Sequence, residues 1–401
     1  MEKIRILLLM LVTFPCLFSC TDYSVGQQPV DNVPPGKVTN VKVENIPGGA
    51  ILTYKLPSDQ DLLYVKATYF LKDTVKMEAK SSIFKDTLKV QGFGDTKQRE
   101  VTLTAVDASG NESESVAVKV TPLTPPVVSI GESLVLSADF GGMTATWENP
   151  TKAEVSVRID TINKNKEWET AETCYTSTLT GSGSVRGQDT IPRQYRVYVQ
   201  DRWGNKSPYL IKELTPLYET QWDKSLWTNA RLASDVDQTS GWVMEHIWDG
   251  IYGDVDNGFS CPPGTGKWPV TITINLGTVG KISRIKYYQR GYLAIFQEGN
   301  LKRFEVYGAT KKNYVDDLSK WTLLGSFTSH KPSGLPFGQW TAEDKDVACY
   351  SGENFTFPIA LSVPIQFIRI RVLETWAGGD NFQIGELFVY GDNRPIFGAN
   401  N

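Results

Sequence analysis

Between Ser240 and Phe382 the chain sets aromatic residues beside glycines. Trp242 lies in Ser240-Gly-Trp-Val-Met, Tyr292 follows Arg290-Gly291, and Trp376 and Phe382 flank Ala377-Gly-Gly-Asp-Asn381. A ring held out by a glycine loop can lie flat on the C–H face of a sugar, while amide and guanidinium groups such as Asn381 and Arg290 fix hydroxyl positions. Trp242, Arg290, Tyr292, Trp376, Asn381 and Phe382 are therefore the candidate ligand contacts. Trp248 and Trp268 border strand-like runs and are predicted to pack. For Arg290 two readings stand, a structural ion pair or a ligand contact.

The elements that must hold these loops are strands. Thr271, Thr273 and Asn275 alternate with Val270, Ile272, Ile274 and Leu276, and Arg369 and Arg371 alternate with Ile368, Ile370 and Val372. Period-2 alternation predicts strands with one buried face. On such a framework the chemistry belongs in the connecting loops.

The first half of the chain repeats itself. Val101-Thr-Leu-Thr-Ala-Val-Asp107-Ala-Ser-Gly-Asn111-Glu-Ser113 matches Tyr195-Arg-Val-Tyr-Val-Gln-Asp201-Arg-Trp-Gly-Asn205-Lys-Ser207, and Gly48-Gly-Ala-Ile-Leu-Thr-Tyr54 matches Gly141-Gly-Met-Thr-Ala-Thr-Trp147. Both landmarks keep nearly one offset, so two similar units follow each other. Alternating apolar residues punctuated by Gly-Gly and Gly-Asn turns predict half-buried antiparallel strands, at a unit length that suits a sandwich. Asp107, Asn111, Asp201 and Asn205 could form a cation or ligand site. Turn chemistry explains them better, because Asp and Asn bond their own main chain and glycine supplies the positive φ. Thr124-Pro-Pro126 predicts a stiff joint.

At the N-terminus Lys3 and Arg5 precede an apolar run, Ile6 to Phe18, that stops at Ser19-Cys20. The run is short of the roughly 20 residues a spanning helix needs and suits a secretory signal. Leu17-Phe-Ser-Cys20 resembles the bacterial lipobox. That resemblance implies acylation of Cys20 and a chain held outside the cytoplasm by lipid alone; an ordinary cleaved signal is the alternative. Residues 21–37, with Gln27-Gln-Pro29 and Pro34-Pro-Gly36, read as a flexible leader. Past the signal no apolar run approaches spanning length.

The two repeats resemble fibronectin type III and related immunoglobulin-like domains, with Tyr54 and Trp147 at the core aromatic position. They are placed at 38–121 and 127–215. Over 221–392 an ordered set of landmarks is similar to the discoidin domain, the coagulation factor V/VIII C-type, galactose-binding-like jelly roll. The set comprises Trp248-Asp-Gly250, Trp268 to Leu276-Gly277, Tyr287 to Arg290, Val306-Tyr-Gly308, Phe367-Ile-Arg-Ile-Arg371 and Glu386-Leu-Phe-Val-Tyr-Gly391. The expected fold is thus all-β: two tandem sandwiches followed by a jelly roll. Many such modules hold a structural calcium near the Asp-Gly element. The resemblance carries that role to Asp249 and Glu386, with Asp254 as the compensating oxygen donor where the chain departs from the family pattern.

Taken whole, the chain resembles lipoproteins of Bacteroidetes polysaccharide-utilisation systems. The resemblance implies a non-catalytic protein of the outer membrane, at the cell surface with the periplasmic face as the alternative, that captures polysaccharide or oligosaccharide beside glycan-import or glycan-degrading proteins. A structural lipoprotein docking on an envelope complex is the alternative. The net charge of −4 supplies no basic field, which argues against nucleic acid. His246 and His330 are the two histidines, and neither lies near a Gly-x-Ser-x-Gly, His-Glu-x-x-His or P-loop pattern, so serine-histidine and zinc chemistry have little support. A glycosidase needs only two carboxylates, and it remains the weaker third reading. Cys261 and Cys349 fall in one domain and could pair or stay as thiols, with Cys174 left alone.

Overall fold

The computed structural model describes residues 31–395 apart from 73, 265–267, 292 and 380. Cys20, Tyr292 and most of the leader lie outside the described residues. No helix among the described residues is long and apolar enough to cross a membrane.

Seven strands build the first unit: β1 (Thr39–Ile46), β2 (Gly49–Lys55), β3 (Leu62–Phe70), β4 (Lys76–Ser82), β5 (Thr87–Gln91), β6 (Arg99–Asp107) and β7 (Val116–Val120). They form two antiparallel sheets ordered β1-β2-β5 and β4-β3-β6-β7. Alternation sends Leu52, Tyr54, Val65, Ala67, Val101 and Leu103 into the space between them. The second unit repeats the plan with β8 (Val135–Asp139), β9 (Gly142–Glu148), β10 (Val155–Ile162), β11 (Trp168–Thr176), β12 (Thr180–Val185), β13 (Arg193–Asp201) and β14 (Leu210–Leu214). Its sheets run β12-β9-β8 and β11-β10-β13-β14, and Trp147 fills the place Tyr54 holds in the first.

The repeated Gly-Gly pairs have a steric cause. Gly48 and Gly141 sit at φ +64° and +65°, which favours glycine. A Cβ on Gly49 or Gly142 would meet the carbonyl oxygen of Val90 or Val185 at 2.3 and 1.9 Å. The Asp-x-x-Gly-Asn hairpins are self-bonded as turn chemistry requires: Asp107 accepts from Ser109 N and Asn111 N, and Asp201 from Trp203 N and Asn205 N.

The second hairpin also fastens the joint. Trp203 packs against the core of the first sandwich, and Asn205 Nδ2 donates to Gly92 O at 2.9 Å. At the next joint Glu219 is almost enclosed. It accepts from Arg186 of the second sandwich and from Ser283 and Arg284 of the third unit.

The third unit has ten strands: β15 (Thr220–Gln221), β16 (Thr228–Asn229), β17 (Phe259–Ser260), β18 (Val270–Tyr288), β19 (Leu301–Ala309), β20 (Thr322–Thr328), β21 (Glu353–Thr356), β22 (Pro364–Thr375), β23 (Gln383–Ile384) and β24 (Glu386–Asp392). Strand β18 organises them. Its first half, to Asn275, pairs with β22, which continues to β19 and β20. Past an irregularity at Asn275–Gly280 its second half pairs with β24 and β21. One long strand thereby joins both layers of a jelly roll, and Ile272, Ile274, Ile285, Val306, Ile368, Ile370 and Val389 meet between them. The expected all-β architecture is what the chain adopts.

Candidate functional site

Because β18 changes layers midway, both its ends reach the same rim of the jelly roll. The end of β22 and the starts of β19 and β24 lie there too, since Thr375 is opposite Leu301 and Tyr288 opposite Glu386. The connections at this rim are the loops that carry the candidate residues.

Arg290, just past β18, ties four of them together. Its main-chain N–H donates to Asn300 Oδ1 at 2.9 Å, and Nε donates to Val255 O at 2.7 Å. Nη1 donates to Glu298 Oε2 at 2.7 Å and to Gln383 Oε1 at 3.3 Å. The guanidinium carbon lies 4.6 Å from the centroid of the Trp242 ring. Glu298 is half-exposed, so this ion pair adds little stability; its effect is to hold the guanidinium against the indole. Trp242 is itself set by a tight turn, donating its N–H to Thr239 O at 2.9 Å next to Gly241 at φ +80°. Asn381 sits against the same 298–300 turn by its main chain, whose carbonyl oxygen is 3.1 Å from where a Gly299 Cβ would be. Trp242, Arg290 and Asn381 thus gather at one rim, joined by Glu298 and Gln383.

One expected ring contact, Phe382, is corrected, and a second, Trp376, is only partly exposed. Phe382 is fully buried, 5.3 Å from Phe259 and part of the main core. It packs because β23 begins one residue later and turns the side chain inward. Trp376 is half-buried and edge-on to Phe296 at 5.1 Å, with Nε1 donating to Ser329 Oγ at 3.4 Å. It packs against a satellite cluster of Ile295, Phe296, Ala348 and Cys349, while its main-chain N–H donates to Asn300 O at 3.0 Å on the turn that also meets Arg290. Trp248 and Trp268 pack against the core, as their flanking strands predict.

The three acidic residues expected to hold calcium do not combine into an oxygen shell. Glu386 is fully buried, and Lys224 donates to its Oε1. That ammonium already fills the cation's place, lying 3.2 Å from the centroid of Phe388. The Gly250 N–H also reaches both Glu386 oxygens, at 3.3 Å each. Asp249 is turned to Ile251 N and Asn257 Nδ2, and Asp254 to Asp256 N. The residues therefore do not fit a bound calcium. Burial pushes the Glu386 carboxyl up to about 7 even with Lys224 beside it, and pushes Lys224 down. The one trio of carboxylates grouped within 4.8 Å among the described residues is elsewhere, at Asp31, Asp61 and Asp107.

Sequence reasoning missed a further loop on the Trp376 side. Lys331 is 5% exposed, and its ammonium donates to the carbonyls of Leu335, Pro336 and Gln339. Asp344 takes the N–H groups of Ser333 and Thr341 at 2.9 and 2.8 Å. This fixed loop raises Phe337 and Trp340, 62% and 41% exposed. Its Pro-Phe-Gly-Gln-Trp composition is the same signal that drew attention to Trp242. Nearby, Glu353 accepts from Ser329 Oγ and His330 N, and burial pushes its carboxyl up to about 7. Cys261 packs in the main core and Cys349 in the satellite cluster; neither is in a disulfide.

Three successive stretches match domain families described only as domains of unknown function: DUF4959 over residues 35–122, DUF5126 over 123–225 and DUF5000 over 248–391. No curated protein matches the chain. Among solved structures the chain is similar to a SusE-like protein, with 26% identity, 67% of this chain and 99% of that one covered, and a TM-score of 0.43. It is also similar to the C-terminal domain of a chitobiase from Bacteroides fragilis, with 16% identity, 43% and 98% covered, and a TM-score of 0.31. A third similarity is to the F5/8 type C domain of another Bacteroides fragilis protein, with 12% identity, 44% and 97% covered, and a TM-score of 0.31.

Proposed function

We propose that this chain is a non-catalytic glycan-binding protein of the bacterial envelope, anchored through a lipid on Cys20, whose contact surface is the jelly-roll rim at Trp242. The observation that carries this reading is the Trp242–Arg290 pair. An indole held by a tight turn, with a guanidinium fixed against it by Val255, Glu298 and Gln383, is a rigid, part-apolar and part-polar surface. A saccharide needs both halves: a ring for its C–H face and fixed donors and acceptors for its hydroxyls. Asn381 adds an amide at the edge.

A shallow rim of this kind binds weakly. Many copies on one membrane raise capture through effective concentration, so single-site dissociation constants of roughly micromolar to millimolar suffice. The two fastened joints fit a stalk that presents the rim away from the bilayer, beside proteins that import or cleave the same glycan. Affinity electrophoresis of the whole mature chain through gels cast with a panel of polysaccharides tests the reading. Retardation by at least one glycan, reduced in Trp242→Ala, is expected. Equal mobility in every gel would refute it.

A further inference from the structure

The second sandwich turns the outer face of its β11-β10-β13-β14 sheet to solvent, and register sorts that face into rows. Tyr175, Ser156 and Gln200 lie in one row; Thr173, Arg158 and Tyr198 in the next; Thr170, Asp160 and Arg196 in the third. The third row is closed on itself. Arg196 Nε donates to Asp160 Oδ2 at 2.9 Å, and its guanidinium lies 4.6 Å from the Trp168 ring and 4.8 Å from Tyr209.

One rung along, Arg158 has no such answer. Its Nε is buried without an acceptor, and among the described residues no carboxylate pairs with it. The first two rows open into a groove of about 720 Å³ lined by Arg158, Ser156, Tyr175, Gln200, Arg202 and Glu154, within the roughly 300–1,000 Å³ typical of ligand sites. Tyr175 stands 83% exposed at its wall. Arg202 lies 4.4 Å over Trp203 and has no carboxylate partner among the described residues. Asp201 also borders the groove, but its carboxylate is taken up by Trp203 N, Asn205 N and Asn205 Nδ2. Glu154 is the remaining acidic group, exposed at the edge.

We infer that this groove is a second glycan site, separate from the jelly-roll rim, and that it takes oligosaccharides bearing uronic acids. Paired N–H donors of a guanidinium match the two oxygens of a sugar carboxylate, which a hydroxyl does not replace. The sugar ring then lies on Tyr175, with Gln200 and Ser156 beside its hydroxyls. A neutral sugar would leave both arginine charges without a counterion.

Calorimetric titration of the whole mature chain with an oligogalacturonate, beside a neutral oligosaccharide of equal length, tests the site. Arg158→Ala and Tyr175→Ala are each expected to weaken oligogalacturonate binding by about tenfold or more, with the neutral sugar bound more weakly throughout. Tyr175 is so exposed that its loss cannot act through misfolding. Retardation of Tyr175→Ala in the polysaccharide gels that depend on Trp242 is expected to match the wild type, so groove and rim are read separately and failure of rim binding does not touch the oligogalacturonate result. The inference is overturned if oligogalacturonate does not bind, if neither groove substitution weakens it, or if the neutral sugar binds equally well.

Discussion

Lys224→Met tests the buried pair that stands where a calcium was expected. Lys224 is 12% exposed at its side chain and Glu386 0%, so methionine keeps the stem over Phe388 while removing the only cation bonded to Glu386 among the described residues. Stripping one partner from a buried ion pair costs about 3–5 kcal/mol; with the Gly250 N–H still reaching both oxygens, about 3 kcal/mol is expected at pH 8. The cost must depend on pH. Burial already raises the Glu386 carboxyl from 4.5 to about 7, so the folded state binds this proton more tightly than the unfolded chain. The group's contribution to stability is therefore greatest below about 4.5 and falls as pH rises to about 7. Without Lys224 the carboxyl climbs further, and at pH 5 it is neutral in the folded variant. There the loss shrinks to about 1 kcal/mol, the worth of the altered packing. Urea unfolding followed by tryptophan fluorescence suits the assay, because most of the chain's 11 tryptophans lie in the jelly roll. A midpoint about 1–2 M lower at pH 8, and nearly restored at pH 5, is expected. Equal loss at both pH values would refute the reasoning. A midpoint raised by calcium in the wild-type protein would reinstate the metal.

Phe382→Ala, which empties a fully buried position against Phe259, should cost about 3–5 kcal/mol in urea unfolding, and a loss under about 1 kcal/mol would return the ring to the surface. Glu353→Gln should flatten the pH profile: the wild-type carboxyl, pushed by burial to about 7, costs the fold up to about 3 kcal/mol as pH rises from 5 to 8, and the amide does not. Parallel profiles for the two proteins would contradict this. Trp203→Ala removes the ring that packs the second hairpin against the first core; a loss of about 1.5 kcal/mol should speed limited proteolysis at Thr124–Pro126 about tenfold without moving the jelly-roll midpoint, and unchanged cleavage would show that the joint does not rest on this ring.

The sandwiches were legible because period-2 alternation and the paired glycines each have one physical cause. Leu52, Tyr54, Val101 and Leu103 face inward on the same beat that placed them in sequence, and Gly49 and Gly142 leave no room for a Cβ. The alternating runs at Val270 and Ile368 were legible for the same reason. At the rim that rule ends. Trp242 and Phe382 both sit among loop residues, yet one lies on Arg290 and the other in the core, and only the start of β23 decides between them. Lys224 carried no signal at all, since Glu386 lies 162 residues further on. The lone Arg158 was equally silent, because an arginine in an alternating strand is ordinary until its neighbours across the sheet are known.

Glycan capture at the jelly-roll rim is proposed to run through Trp242. Titration of the whole mature chain with a polysaccharide that retards it, wild type beside Trp242→Ala, measures this directly. A dissociation constant of roughly micromolar to millimolar is expected, weakened about tenfold or more by the substitution, with the sugar recovered unaltered. Binding that Trp242→Ala leaves intact, or cleaved sugar in the cell, would contradict it.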